Sequence, residues 1–305
     1  MDRNGEPVSA ELVAVITAVQ HGAPLVLTTA DGGRLPSGPL QRGHRSMQEG
    51  MRTWVTRQTG YELGYVEQLY TFADRDRGPS PVLEISYLGL TTVSSVTPGW
   101  HSWLEYFPWE DRRAGSDVVD SVIAPALDRW AATDPVHEER RRLRAALTFG
   151  LDDYPWQPEM TLQRYELLYE AGLVPEAHGA DAVAHHGAGG EASALGLPMA
   201  RHHRRILATG ISRLRAKIQY RPVIFEMLPE SFTLRRLQET VEAVAGQHLH
   251  TQNFRRLVEQ QELVEETGEV DTSTGGRPAK LFSFRRAVLD ERDAAGTKLP
   301  IVRSR

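Results

Sequence analysis

The chain has 305 residues, a net charge of −5, 40% hydrophobic and 25% charged residues, the proportions of a globular protein large enough for two domains. It has no cysteine, which excludes disulfides, thiolate zinc sites and thiol catalysis. There is no run of about 18 apolar residues and no basic start followed by an apolar core as in a secretory signal, so a cytoplasmic protein with no membrane partner is expected.

The front half opens on two β-branched, apolar runs, ELVAVITAV (11–19) and PLVLTTA (24–30), parted by the turn-prone HGA and closed by DGG. LPSGPLQRGH follows as a Gly/Pro-rich loop, and a helix is predicted from near Ser46. There Ser46-Met47-Gln48-Glu49 forms a capping box. Met47, Met51 and Trp54 or Val55 are expected on its buried face. Two more strands are predicted, GYVEQLYTF (64–72) and PVLEISYLGLT (81–91), joined by the polar ADRDRGPS as a long hairpin connection. Strand pairs flanking a helix point to an α+β domain instead of a βαβ repeat.

WHSWLEYFPWEDRR (100–113) is dense in aromatics and is expected to pack on the sheet. Residues 116–131, 138–151 and 162–174 read as helices, the last with Leu162, Tyr165, Leu168 and Tyr169 at helical spacing. Residues 175–198, rich in Gly and Ala, read as a flexible linker. Its His178, His185 and His186, and the adjacent His202 and His203, are expected to be solvated and not metal ligands.

Residues 199–305 form the expected back domain, led by a long basic helix (199–218) with Ile206, Ile211, Leu214 and Ile218 on one face. This part carries 19 Lys+Arg against 13 Asp+Glu, while the first 200 residues carry 16 against 27. A basic back half points to a polyanion partner. VIFEMLPE, TLRRLQETVEAVAG and HTQNFRRLVEQQEL are predicted helices, followed by strands LVEETGEV and GRPAKLFSF joined by DTSTGG. Three helices and a hairpin is the order of a winged helix. Its recognition helix is expected to start near Thr251, with Gln252, Asn253, Arg255 and Arg256 as base readers or phosphate anchors. Phe254 and Leu257 are expected in the core. Arg277 at the wing tip and Lys280 behind it are further expected DNA contacts.

The segment from Gly38 to Gly60 resembles a Nudix box, in which a lone Glu, an Arg-Glu pair and a Glu-Glu pair precede the closing glycine. The two glycines lie 22 positions apart, one more than in the box. Counting back from Gly60, Arg57 and Gln58 stand at the Glu-Glu pair and Thr53 and Trp54 at the Arg-Glu pair; counting from Gly38, His44 stands at the lone Glu. Metal-assisted pyrophosphate hydrolysis needs several carboxylates on one helix face. Between Ser46 and Gly60 the only acid is Glu49, for which the capping role is favoured. No catalytic and no metal residues are therefore assigned, and no cofactor is required. Arg52 and Arg57, with Gln58, remain open either to direct phosphate binding or to ordinary solvation.

VEQLYTFADRDRG and VLEISYLGL, taken with the back domain, resemble the Nudix-related transcriptional regulators of NAD metabolism (NrtR/NadQ-like). In order, Gln68, Leu69, Tyr70, Thr71, Phe72, Asp74, Asp76 and Arg77 match that family's stretch. The resemblance implies a fold in which a Nudix-like mixed α/β/α sandwich precedes a winged helix-turn-helix. It further implies domains at 1–174 and 199–305 on either side of the linker, and repression of NAD biosynthesis genes from a pseudo-palindromic operator. The implied effector is NAD, ATP or ADP-ribose, with Asp74, Arg75, Asp76 and Arg77 in its site. A homodimer is expected, with helix 199–218 as the candidate interface. An active ADP-ribose hydrolase with an accessory winged helix is the alternative.

Overall fold

The computed structural model describes residues 9–287 apart from 30–31, 42, 44, 62, 75–81, 94–97, 116, 180–193, 273–277 and 286. Its centre is strand β1 (Ser9–Gln20), the middle of a mixed sheet. β1 turns at His21-Gly22, both at positive φ (48° and 72°), into β2 (Ala23–Leu27). That backbone suits the twist of a tight antiparallel hairpin. β4 (Tyr65–Asp74) and β5 (Val82–Leu90) pair antiparallel as expected, and β5 runs parallel to β1.

Two short strands were not legible as such. Ser37–Pro39 (β3), inside the Gly/Pro-rich loop, pairs with β1, and Trp100–Ser102 (β6) extends the sheet beyond β2. Three-residue strands carry no periodicity of their own; they form because a neighbouring edge offers unpaired N–H and C=O groups.

Successive β1 side chains enter different cores, as a pleated strand requires. Leu12, Ala14, Ile16 and Ala18 meet Met51 and Val55 of helix α1 (Met47–Thr59), with Ile85, Tyr87 and Trp100. Val13, Val15 and Val19 meet a larger helical layer. Burial on both faces explains why β1 reads as a nearly continuous apolar run. Met47, expected on the buried face of α1, is 39% exposed. It is the first helical residue, one turn before the buried Gly50 and Met51.

The second layer is built from α2 (Ala124–Ala132), entered through a π-turn at Val119–Ile123, α3 (Glu138–Phe149), α4 (Thr161–Glu170) and α5 (His203–Lys217). The position of α5 corrects two expectations. Ile206, Leu207, Ala208, Ile211 and Leu214 are fully buried in this layer, and Gly210 lets the helix close on Val15 of β1, whose side chain a Cβ would touch at 2.7 Å. The apolar face of α5 thus covers the front sheet inside the chain and is not free to form a dimer seam. The helix also belongs to the sandwich, so the unit that begins at residue 199 is not the DNA-binding half alone.

Both ends of the expected linker are packed as well. Pro175 and Glu176 are buried in a 3-10 turn (Pro175–His178), and the Leu197 and Ala200 N–H groups donate to the Glu105 and Gly33 carbonyls at 2.8 and 2.9 Å. Arg204 of α5 holds the ends together, donating to Glu176 at 3.2 Å and to the carbonyls of Tyr106 and Leu195. His203, expected in solvent, is 1% exposed, and its Nδ1 accepts the Leu35 N–H at 2.8 Å. His178 lies against the Gly172 carbonyl at 2.8 Å, while His185 and His186 lie outside the described residues.

The back unit has the predicted order, except that its first segment is a 3-10 turn (Val223–Met227) and not an α-helix. α6 (Leu234–Ala245), capped by Thr233, and α7 (Thr251–Gln260) follow, then the hairpin β7 (Val264–Asp271) and β8 (Ala279–Phe284). Phe282 forms a further bridge to Phe232 ahead of α6. Among the described residues no helix is long and apolar enough to cross a membrane.

Candidate functional site

Helix α1 begins as its sequence dictates. The Ser46 hydroxyl accepts the Glu49 N–H at 3.1 Å, and the Glu49 carboxylate accepts the Arg45 N–H at 2.9 Å, one residue earlier than the usual box partner. Glu49 is thereby spent on the helix start. Gly60 ends the helix at φ 76°.

Three polar residues expected to bind ligand lie along this helix, and the structure separates them. Arg52 donates to the carbonyls of Leu63 and Gly64, which ties down the loop after the helix. Gln58 pairs with the Ser37 backbone in both directions, accepting its N–H at 3.1 Å and donating to its carbonyl at 2.7 Å. Both side chains are thus engaged by backbone next to α1. Arg57 is exposed and lies 5.1 Å over the Trp54 ring, whose indole N–H donates to the Pro39 carbonyl at 3.0 Å. Among the described residues the Arg57 guanidinium is held by that aromatic face alone.

Gly38 lies directly beneath the Trp54 ring, where a Cβ would overlap the indole. The first box glycine is thus needed for packing. Gly38→Ala is expected to lower stability by about 1–3 kcal/mol through overpacking, measured as a drop in Tm.

Asp74 ends β4, and Arg75, Asp76 and Arg77 lie outside the described residues, as does His44. Among the described residues no three His, Cys, Asp or Glu groups come together to hold a metal ion. Nearby carboxylates are otherwise engaged. Glu11 accepts from the Ser37 hydroxyl at 3.0 Å and from Arg201 at 2.8 Å, and Glu67 accepts from Tyr65 at 2.7 Å and from Lys217. Burial pushes the Glu67 carboxyl up, but the hydrogen bonds from Lys217 and Tyr65 and the charges of Lys217 and Arg213 outweigh it, leaving its pKa below the ordinary value.

On the back unit, Thr251, Gln252, Asn253, Arg255 and Arg256 are all exposed on α7, while Phe254 and Val258 are buried at 5% and 1%. The predicted polar face is therefore presented to solvent. Leu257, expected in the core, is only half-buried; Val258 fills that place one residue on, in keeping with i, i+4 spacing from Phe254. The Thr251 hydroxyl accepts from Gln238 of α6 at 3.2 Å, which sets the start of α7 against the preceding helix. Lys280 is engaged by Glu266 at 2.8 and 2.9 Å, and Arg277 lies outside the described residues. β7 is acidic and exposed through Glu265, Glu266 and Glu269, so positive charge is on the helix and not on this strand.

The feature that sequence reasoning missed joins the two units. Glu110, in a 3-10 turn after the aromatic run, is fully buried between Arg164 of α4 and Arg215 of α5. Its carboxylate accepts from Arg164 at 2.6 and 2.9 Å, from Thr161 at 3.1 Å and from Arg215. Burial opposes its ionisation, but the two guanidiniums prevail and hold its pKa below the ordinary value. Arg215 also donates to the Val244 carbonyl at 2.7 Å, and the Arg112 N–H donates to the Gly246 carbonyl at 2.6 Å. Both acceptors are at the C-terminus of α6. Gly246, at φ 69°, presses against the Glu110 carbonyl where a Cβ would collide. The helix before the recognition helix is thus bolted to the sandwich. One signal was present: Arg215 lies four residues after Ile211, on the apolar face of α5.

Residues 224–284 match a family model described as the NrtR DNA-binding winged helix domain. A curated relative from Acinetobacter baylyi, named ADPR responsive transcriptional repressor NtrR, is 35% identical over 91 residues, 30% of this chain. That match spans only 36% of the relative's length. Shewanella oneidensis NrtR complexed with a 27mer DNA shares the fold at TM-score 0.52 and 18% identity, over 92% of this chain and 95% of that one. A MutT/nudix family protein from Enterococcus faecalis shares it at TM-score 0.53 and 16% identity, over 92% and 89% of the two chains.

Proposed function

We propose that this chain, NrtR-like in its overall fold and in its winged helix, is a DNA-binding transcriptional repressor whose Nudix-like domain senses a nucleotide instead of cleaving one. The observation that carries the DNA-binding part is the exposed face of α7, where Gln252, Asn253, Arg255 and Arg256 stand clear of the core. Gln and Asn pair with adenine and Arg with guanine in the major groove. One such unit makes few phosphate contacts, so a homodimer on a pseudo-palindromic operator is the assembly this surface suits. With the apolar face of α5 buried, the dimer seam is assigned elsewhere than that face. The proposed targets are NAD biosynthesis genes, and the proposed site of action is the cytoplasm.

ADP-ribose is the first effector to test, given the name of the Acinetobacter relative, with NAD and ATP beside it. Arg57 is the proposed phosphate ligand on α1, with Asp74 at the end of β4 and Arg75, Asp76 and Arg77 after it proposed as further parts of the site. The engagement of Glu49, Glu11 and Glu67 by other partners argues for recognition without a divalent cation. Titration calorimetry is expected to give ADP-ribose binding that is unchanged by EDTA and weakened about tenfold or more in Arg57→Ala, as loss of a charged hydrogen bond entails. Cation-dependent binding, accompanied by turnover of ADP-ribose with Mg²⁺, would reverse the reading to a hydrolase. Gel shifts of the gene's own upstream region and of NAD-synthesis promoters, with and without each nucleotide, test the repressor and the sign of the effector response together.

A further inference from the structure

Helix α7 brings little to its own beginning. His250 stands at its N-cap without a side-chain hydrogen bond, and its first turn holds no acid. The open N–H groups of a helix start are ordinarily closed by a Ser, Thr, Asp or Asn side chain at that place. Here the polar groups reach the turn from behind, from Gln238 and Glu242, which lie four residues apart and so on one face of α6.

Glu242 Oε1 accepts the Leu249 N–H at 2.9 Å and a Gln238 Nε2 hydrogen at 2.8 Å. Gln238 Nε2 also lies 3.0 Å from the Leu249 carbonyl and 3.2 Å from the Thr251 hydroxyl. Both backbone groups of Leu249 are therefore held by α6 side chains. The second Glu242 oxygen is 3.3 Å from His248 Nδ1, but the two differ in exposure: the Glu242 side chain is 12% exposed and that of His248 68%. The carboxylate thus belongs to the inside of the turn, while the imidazole is a surface contact of the kind worth little.

The far end of α6 is fixed to the sandwich through the Val244 and Gly246 carbonyls. What remains is how α7 is fixed to α6. Burial of Phe254 and Val258 holds α7 to the core, but apolar contact is not directional. The hydrogen bonds at Leu249 and Thr251 are directional, and they act at the end from which Gln252 and Asn253 project. A carboxylate on α7 itself could cap the helix equally well. It would also set negative charge at an end whose dipole favours phosphate. Carried by α6 and mostly buried, the Glu242 carboxylate closes the turn and leaves that end to the DNA.

We propose that Glu242, together with Gln238, is the positioning residue of the recognition helix. The pair fixes the angle at which the polar face of α7 is presented, so operator selectivity depends on it and general attraction to phosphate does not. The consequence for DNA rests on the repressor reading above; the clamp on the turn does not.

The test compares Glu242→Ala, Glu242→Gln and Gln238→Ala in the full chain. Hydrogen exchange of residues 247–253 is followed by mass spectrometry without DNA, and Tm is measured beside it. Affinity is measured over a salt series for the gene's own upstream region and for a scrambled duplex of equal length. Glu242→Ala is expected to speed exchange of 247–253 by about tenfold or more, with β1 unchanged. Its affinity for the upstream region is expected to fall by about tenfold, the effect of losing hydrogen bonds to a charged group. The scrambled duplex is expected to stay within about twofold, with an equal salt slope, because no phosphate contact is removed. Glu242→Gln keeps an acceptor oxygen and is expected to recover both exchange and selectivity. Gln238→Ala removes the clamp from its other side and is expected to act in the same direction, so a poorly folding Glu242→Ala does not end the test. Unchanged exchange in both Ala variants, equal losses on the two duplexes, or a Gln variant as defective as Glu242→Ala would each overturn the proposal. A wild-type chain that does not distinguish the two duplexes would instead remove the repressor reading, and the exchange measurement would still tell a clamped turn from a loose one.

Discussion

Glu110→Gln is expected to destabilise the protein by about 3–5 kcal/mol, the cost of removing one partner from a buried ion network. The carboxylate is 0% exposed and receives Arg164, Arg215 and Thr161; the amide would leave two guanidiniums in the interior without a counter-charge. Because Arg215 and the neighbouring Arg112 backbone hold the end of α6, the loss falls on the junction of the two units. Denaturant unfolding is expected to become broader or biphasic as they uncouple. The pH dependence follows from the same group. Its folded pKa is depressed, so its contribution is complete above the unfolded carboxylate value of about 4.3 and is lost as pH falls through the lower folded value. The wild-type protein is therefore expected to lose stability on acidification below about pH 4, and Glu110→Gln to lack that part of the loss. A Gln variant with unchanged stability and an unchanged acid limb would remove Glu110 from its structural role.

The second large effect is on DNA. Arg255→Ala together with Arg256→Ala is expected to weaken operator binding by about 2–6 kcal/mol if both read bases, at roughly 1–3 kcal/mol each. The change separates the two possible roles. A base-reading arginine, once removed, relaxes preference at one operator position; a phosphate contact, once removed, weakens all sequences alike and lowers the salt slope by about one. Fluorescence anisotropy over a salt series on wild-type and position-varied operators distinguishes them. Both side chains are exposed on α7, so the fold is expected to survive, and unchanged affinity in the double variant would displace the recognition surface from α7.

Elements with a strong period were legible before the structure. β1, the β4–β5 hairpin, α1 with its Ser46 cap and Gly60 end, and the order of the winged helix are all encoded in local pattern and capping chemistry. What was not legible depends on partners far along the chain. Gln58 stands where a carboxylate stands in a Nudix box, but its hydrogen bond to Ser37, 21 residues away, is not written in that spacing. The bonds from Arg52 to the Leu63 and Gly64 carbonyls are equally invisible in the helix pattern. Glu110, Arg164 and Arg215 meet across 105 residues, and the helix period of α5 shows only that Arg215 falls on an apolar face, not which groups it meets there. Helix α5 shows the same limit. Its basic face and apolar stripe suit a dimer seam or an internal layer equally, and only the closeness of Gly210 to Val15 decides between them.

The place of α5 also bears on how the molecule can be divided. A cut at residue 198, which would look like a clean separation of two modules, takes one helix out of the second layer over the front sheet and leaves Val15 without the helix that closes on it. The shorter piece would in turn expose Ile206, Leu207, Ile211 and Leu214. The two fragments are best regarded as complementary halves of one fold, expected to be insoluble apart and to reassemble when co-expressed. A DNA-binding fragment meant to stand alone should begin after Ile218, beyond the last buried turn of that helix.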